Sequence, residues 1–200
     1  MQTQTDRQKE IIAVSLDLIS EKGIQGLTIK NLAQRIGISE PAIYRHYENK
    51  IEILLTILEL FKENTLQVFE GQADISGTAV ERIAHVFTNQ FRILAAKPQL
   101  VAVIFSEEIF RNEPVLMDRI RGIMDHIITS ITGIIRQGQM NGEVRKDMDA
   151  RHLAIMIIGG LRLFVKQWQM KDFAFDLMGE GAGFLQTVKH LISHSSLIIE

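Results

Sequence analysis

Three features of the sequence predict an all-α fold: apolar residues recur every three or four positions, no segment alternates apolar with polar residues, and prolines occur only at 41, 98 and 114. The chain has 200 residues, 46% of them hydrophobic, enough to bury a substantial core. About nine helices are expected from the periodicity. They fall into a small N-terminal three-helix unit over residues 1–50 and a larger helical body over residues 51–200.

The first helix is expected from Asp6 to Lys22, where Ile12, Leu16 and Ile19 share one stripe and Gly23 stops the helix. Two short helices follow within TIKNLAQRIGISEPAIYRHYENK, Thr28 to Lys50. Leu32, Ala33 and Ile36 recur at helical spacing, Gly37 supplies a positive φ just past the first helix, and Ser39 can cap the second. A fourth helix starts near Asn49 and carries Ile53, Leu54, Ile57, Leu58, Phe61 and Leu66. After a polar stretch from Glu70 to Gly77, a fifth carries Val80, Ile83, Phe87, Phe91 and Leu94. Pro98 and Pro114 open the sixth and seventh, since proline in a first helical turn loses no hydrogen bond. The seventh runs to the turn-like Met140, Asn141, Gly142, and the last two span about Asp149 to Met170 and about Gly179 to Leu197.

Composition narrows the function classes. With no cysteine, disulfides, thiolate metal sites and cysteine nucleophiles are all excluded. No run approaches the roughly 18 apolar residues of a membrane span, and MQTQTDRQKE lacks the apolar core of a signal peptide, so a cytoplasmic protein without membrane association is expected. A net charge of −2 and a pI near 6.3 argue against coating nucleic acid with the whole surface. Residues 1–50 hold seven bases against six acids, giving +1 and leaving −3 for the rest, so any DNA contact must be local. No phosphate-cradling glycine loop or serine nucleophile motif is present, and an enzyme is not expected. His190 and His194 share a helical face but lack a third ligand at matching spacing, while Asp125 with His126 and Glu107 with Glu108 are sequence neighbours on different faces. No metal and no cofactor are expected.

Two short helices joined by a glycine turn are the sequence form of a helix-turn-helix DNA reader. Thr28 and Ser39, at helix starts, can cap their helices and offer hydroxyls to phosphates where free amides also point. Lys30 can meet a phosphate or a guanine edge. Burying Ile43 with Leu32, Ile36 and Ile38 turns Glu40, Pro41, Ala42, Tyr44, Arg45 and His46 outward. Glu40 can accept from a cytosine amine, Arg45 can fork onto guanine or phosphate, and the Ala42 methyl can touch a thymine methyl, with Pro41 stiffening the helix entry.

Gly26, Thr28, Leu32, Ala33, Gly37, Ser39, Tyr44, His46, Tyr47, Lys50 and Leu54 stand at a spacing that resembles the TetR family of bacterial transcriptional regulators. The resemblance covers roughly the first 55 residues; Tyr47 stands where phenylalanine is more usual, and Ile51 follows Lys50 where an acid is common. It implies phosphate clamps at Tyr44, His46 and Lys50 and base contacts at Glu40, Pro41 and Ala42. It also implies a body that binds a small effector between its fourth and seventh helices and thereby reorients the reader.

The last two helices carry too many apolar positions for one buried side. In the first, Leu153, Ile157, Leu161, Phe164 and Trp168 form one stripe and Ala154, Ile158 and Val165 a second, while Gly159 and Gly160 suggest close approach of another backbone. A homodimer is expected, with an interface at Leu153, Ile157, Gly160, Leu161, Phe164, Trp168, Phe184, Val188 and Leu191. Two readers held about 34–36 Å apart fit successive major grooves of a palindromic double-stranded DNA operator. Phe61, Phe87, Phe91, Phe105, Phe110, Met124, His126 and Ile127 are candidates to line a pocket for an apolar or amphipathic effector, with Arg92, Glu107, Glu108 and Arg121 as polar candidates to orient it. The expected function is a cytoplasmic, ligand-released dimeric repressor. The rival is an architectural or cell-division factor of the same fold that recruits a protein partner.

Overall fold

The computed structural model describes residues 4–70, 77–106 and 113–193. Nine α-helices lie among them: α1 (Asp6–Lys22), α2 (Ile29–Ile36), α3 (Glu40–Tyr44), α4 (Lys50–Glu70), α5 (Ala79–Ala96), α6 (Gln99–Ile104), α7 (Pro114–Asn141), α8 (Ala150–Met170) and α9 (Leu177–Ile192). A 3-10 turn at Ile24–Gly26 links α1 to α2. The described residues form no named strand; Val144 and Ser193 make an isolated antiparallel bridge. No helix among them is long and apolar enough to cross a membrane.

Side chains fix the helix starts. Thr5 Oγ1 accepts from Gln8 N at 3.2 Å while Gln8 Oε1 accepts from Thr5 N at 3.0 Å, a reciprocal box that opens α1. Asn49 Oδ1 accepts from Ile51 N at 2.9 Å and Glu52 N at 3.1 Å and so opens α4. Asp149 accepts from His152 N at 2.9 Å at the head of α8, and that bond holds its carboxyl below the usual range. Asp176 accepts from Met178 N at 3.0 Å, which starts α9 at Leu177, two residues ahead of the expected Gly179. The expected end at Leu197 lies outside the described residues.

Two compact units share the chain: Met1–Glu63 with Lys97–Arg121, and Asn64–Ala96 with Gly122–Glu200. The contacts therefore part within α4 and not at residue 50, because the helix begun at Lys50 runs on without a break. In the first unit α1 buries Ile11, Leu18 and Ile19 and packs on both α2 and α6, where Gln99 Nε2 donates to Asp17 at 3.2 Å. Gly26 permits the turn after α1, since a Cβ there would lie 2.5 Å from Lys22 Cβ.

In the second unit α9 packs on α5 and α8. Phe164 stands at the centre of an aromatic cluster, 5.8 Å from Phe91, 5.6 Å from Phe175 and 5.2 Å from Phe184 between ring centroids. Asp172 and Phe173 turn the corner between α8 and α9 with φ of 51° and 59°, a left-handed conformation that costs non-glycine residues about 1–3 kcal/mol each. Packing holds it: the Phe173 ring meets Trp168 edge-on at 4.7 Å, Phe173 N donates to Trp168 O at 2.9 Å, and the Trp168 indole N–H donates to Phe175 O at 2.9 Å.

Gly181 on α9 faces the buried Phe91 ring, and a Cβ would come within 2.6 Å of it. Alanine would gain about 1 kcal/mol of helix propensity but would overpack a core held by Phe164, which costs about 1–3 kcal/mol. Gly181→Ala is expected to lower the unfolding midpoint in thermal or urea denaturation. Gly133→Ala, on the exposed face of α7 with nothing within 4 Å of its Cβ, is expected to raise it.

Candidate nucleic-acid interface

Thr28 caps α2 through Oγ1, which accepts from Asn31 N at 3.0 Å, and the exposed hydroxyl retains its proton for a further acceptor. Asn31 also donates from its side chain to Gly26 O at 2.9 Å, tying the start of α2 to the turn before it. Gly37, at φ 80° and ψ 32°, ends the helix in the left-handed conformation that glycine adopts without strain, and both Gly37 N and Ile38 N donate to Ala33 O. Ser39 occupies the N-cap position of α3, yet its side chain makes no capping bond; its carbonyl accepts from Ala42 N at 2.9 Å instead. Pro41 lies in the first turn of α3.

Ile43 and Leu32 are fully buried, whereas Ile36 and Ile38 are half-buried. Burial of Ile43 leaves Glu40, Pro41, Tyr44 and Arg45 exposed and Ala42 and His46 half-exposed, with Arg45 and His46 just past the last residue of α3. The two tyrosines divide sharply: Tyr44 is 52% exposed and Tyr47 only 3%. Burial pushes the Tyr47 phenol above its ordinary range, offset in part by the neighbouring Thr56 hydroxyl, which itself donates to Glu52 O. The Tyr47 hydroxyl is buried with no well-formed hydrogen bond.

Exposed cations frame this surface. Lys30 lies in the first turn of α2 and Lys50 opens α4. Among the described residues no ion pair engages Lys30, Arg45 or Lys50, whereas Arg35 is bound to Glu21 of α1. Hydroxyls, a guanidinium, ammonium groups and first-turn amides thus share the unit with Glu40, a set able to hold phosphates and to read base edges.

The expected effector residues are distributed over both units. Phe61 is buried and Phe105 half-buried in the first unit, while Phe110 lies outside the described residues, as do Glu107 and Glu108. In the second unit Phe87 and Phe91 are core, Met124 lies 3.6 Å from Arg162, Ile127 is half-buried, and exposed His126 meets the Phe69 ring edge-on at 6.1 Å. A groove of about 350 Å³ opens in the second unit along Asn64, Gln67, Val68, His85, Asn89, Arg92 and Ile93. Of these only Arg92 was singled out by the sequence, because the groove is made by faces of two helices whose pairing no local pattern encodes.

The expected interface positions differ in how far the chain itself covers them. Leu153, Ile157, Leu161, Trp168 and Val188 are buried within the chain itself, and Phe164 and Phe184 belong to the aromatic cluster. Within the chain the nearest neighbour of Gly160 is the ring of Phe184, 3.1 Å from a Cβ built there, and a Cβ at Gly159 would meet nothing within 4 Å. The uncovered apolar face of α8 is the opposite one, Ile155, Met156, Leu163 and Met170, and Leu191 on α9 is exposed as expected. His190 Nδ1 lies 2.8 Å from Gln186 O, and His194 is outside the described residues.

Residues 11–57 match the family model for bacterial regulatory proteins of the tetR family, and residues 58–195 match the model for the C-terminal region of YsiA-like proteins. The chain is 29% identical over 181 residues to the fatty acid metabolism regulator protein of Bacillus subtilis, covering 89% of this chain and 91% of that one. It is 25% identical over 173 residues to the nucleoid occlusion factor SlmA of Vibrio campbellii, covering 86% and 88%. The crystal structure of the transcriptional regulator FadR from Bacillus subtilis in complex with stearoyl-CoA superimposes with a TM-score of 0.72 at 27% identity, over 92% of this chain and 96% of that one. With both parts of the chain matched, the protein belongs to the TetR family of DNA-binding transcriptional regulators, in the group with a YsiA-like C-terminal region.

Proposed function

We propose that this regulator is a homodimeric repressor released from a palindromic operator by a long-chain acyl compound, with an acyl thioester as the first candidate. The observation that carries this reading is the near full-length similarity to a fatty acid metabolism regulator, together with a related structure holding stearoyl-CoA. The reader is the set Thr28, Lys30, Ser39, Glu40, Pro41, Ala42, Tyr44, Arg45, His46 and Lys50, all exposed but for the half-exposed Ala42 and His46. Phosphate contacts from Tyr44, His46 and Lys50 fix register, and Glu40, Pro41 and Ala42 face the bases. The dimer forms through the uncovered stripe Ile155, Met156, Leu163 and Met170 with Leu191, since an apolar row left open along a helix is stabilised by a symmetric partner. An effector that prefers a spacing of readers different from the operator's lowers DNA affinity by its differential binding to the two states.

A second reading rests on the nucleoid occlusion factors among the relatives: a DNA-bound factor that recruits a protein partner. Acyl response separates the two. An operator selected from random DNA is expected to be released from the wild-type protein by micromolar palmitoyl-CoA in a mobility-shift assay. A complex unmoved by acyl thioesters of any length would favour the recruiting factor.

Arg45→Ala is expected to weaken operator binding by about tenfold or more at moderate salt, in line with the 1–3 kcal/mol of a good base or phosphate contact, and Tyr44→Phe to weaken it less. Titration of labelled operator at several salt concentrations checks both, and unchanged affinities would displace α3 from the groove. Leu163, 61% exposed, tests the interface: Leu163→Glu is expected to shift the protein from dimer to monomer in sedimentation analysis and to cost operator affinity with it.

A further inference from the structure

Two short polar stripes face one another in the second unit. On α4, Asn64 and Gln67 lie three residues apart beside Val68; on α5, His85, Asn89 and Arg92 recur at spacings of four and three, which places them on one helical face. Half-buried Val68 and Ile93 supply the apolar lining of the groove between them. Asn89 sits between the two basic side chains: its amide nitrogen lies 3.2 Å from His85 Nε2, and its oxygen accepts from Arg92 Nη1.

Among the described residues the lining thus offers a guanidinium, an imidazole and three carboxamides and no carboxylate. Such a set favours an oxyanion. Asn89 occupies one of the five N–H donors of Arg92 and fixes the plane of the fork, while carboxamides both donate and accept and so suit the uncharged polar atoms of a larger group. A volume of about 350 Å³ is at the small end for ligand pockets but is far more than a bare carboxylate fills.

We propose that this groove seats the phosphate-bearing head group of the effector, with Arg92 as the anion contact and Asn89 as the residue that positions it. The inference rests on the reading of an acyl thioester effector given above. Calorimetric titration of the full-length wild type, Arg92→Gln and Asn89→Asp with palmitoyl-CoA, coenzyme A, palmitate and inorganic phosphate tests it. Both variants are expected to bind palmitoyl-CoA and coenzyme A about tenfold more weakly, with palmitate affinity and ligand-free operator affinity unchanged. Wild-type affinities for the two coenzyme A probes in both variants would overturn the assignment, and so would inorganic phosphate binding as tightly as coenzyme A, which would mark a site for a free anion. Should coenzyme A bind in an Arg92-dependent way while palmitoyl-CoA leaves the operator complex intact, the groove stands and the release reading falls. Palmitoyl-CoA that releases operator equally well from wild type and both variants would do the reverse.

Discussion

A helix of five residues cannot hold itself together in water, because one turn of hydrogen bonds does not offset the cost of nucleation. The direction in which α3 presents its side chains therefore depends on one anchor, Ile43, closed into the core with Leu32 and approached through the left-handed turn at Gly37. Both outer stripes of the reader follow from it. With Ile43 inside, Glu40, Tyr44 and Arg45 have nowhere to go but outward. Behind the anchor, α1 is packed on α2 and on α6, and the Glu21–Arg35 pair joins the end of α1 to α2. That pair is about half exposed and adds little stability.

Much of this unit was legible in the sequence, because it is built from local signals. Thr28 as a cap, Gly37 as a stop and the spacing of Leu32 to Ile43 each act within a few residues of where they are read. Helix starts elsewhere were legible for the same reason, down to Asp149 at the head of α8. Ser39 is the exception. It has the right side chain at the right position, but the carbonyl and not the hydroxyl makes the bonds that open α3.

What was not legible is long-range. Two apolar stripes on α8 announced two buried sides, but periodicity alone does not say which side faces its own chain. Both stripes, Leu153, Ile157, Leu161 and Trp168 as well as Ala154, Ile158 and Val165, are buried in the chain itself, and the outer face is left to Ile155, Met156 and Leu163. Close approaches at glycine were hidden for the same reason: Gly160 makes room for Phe184 of the next helix, and Gly181 for Phe91 of a helix far back in the sequence. The polar groove was hidden similarly. Asn64 and His85 are unremarked surface residues until α4 and α5 stand side by side.

The strained corner between α8 and α9 has a practical side. Trp168 is the chain's single tryptophan, it is buried, and both its ring and its indole N–H are engaged by residues of that corner. Tryptophan fluorescence of the unlabelled protein thus comes from one address, at the junction of the two helices that carry the uncovered apolar stripe. Opening of the Asp172–Phe173 turn would move the indole toward water and its emission to longer wavelength. The protein carries its own optical probe at the place where α8 and α9 are joined.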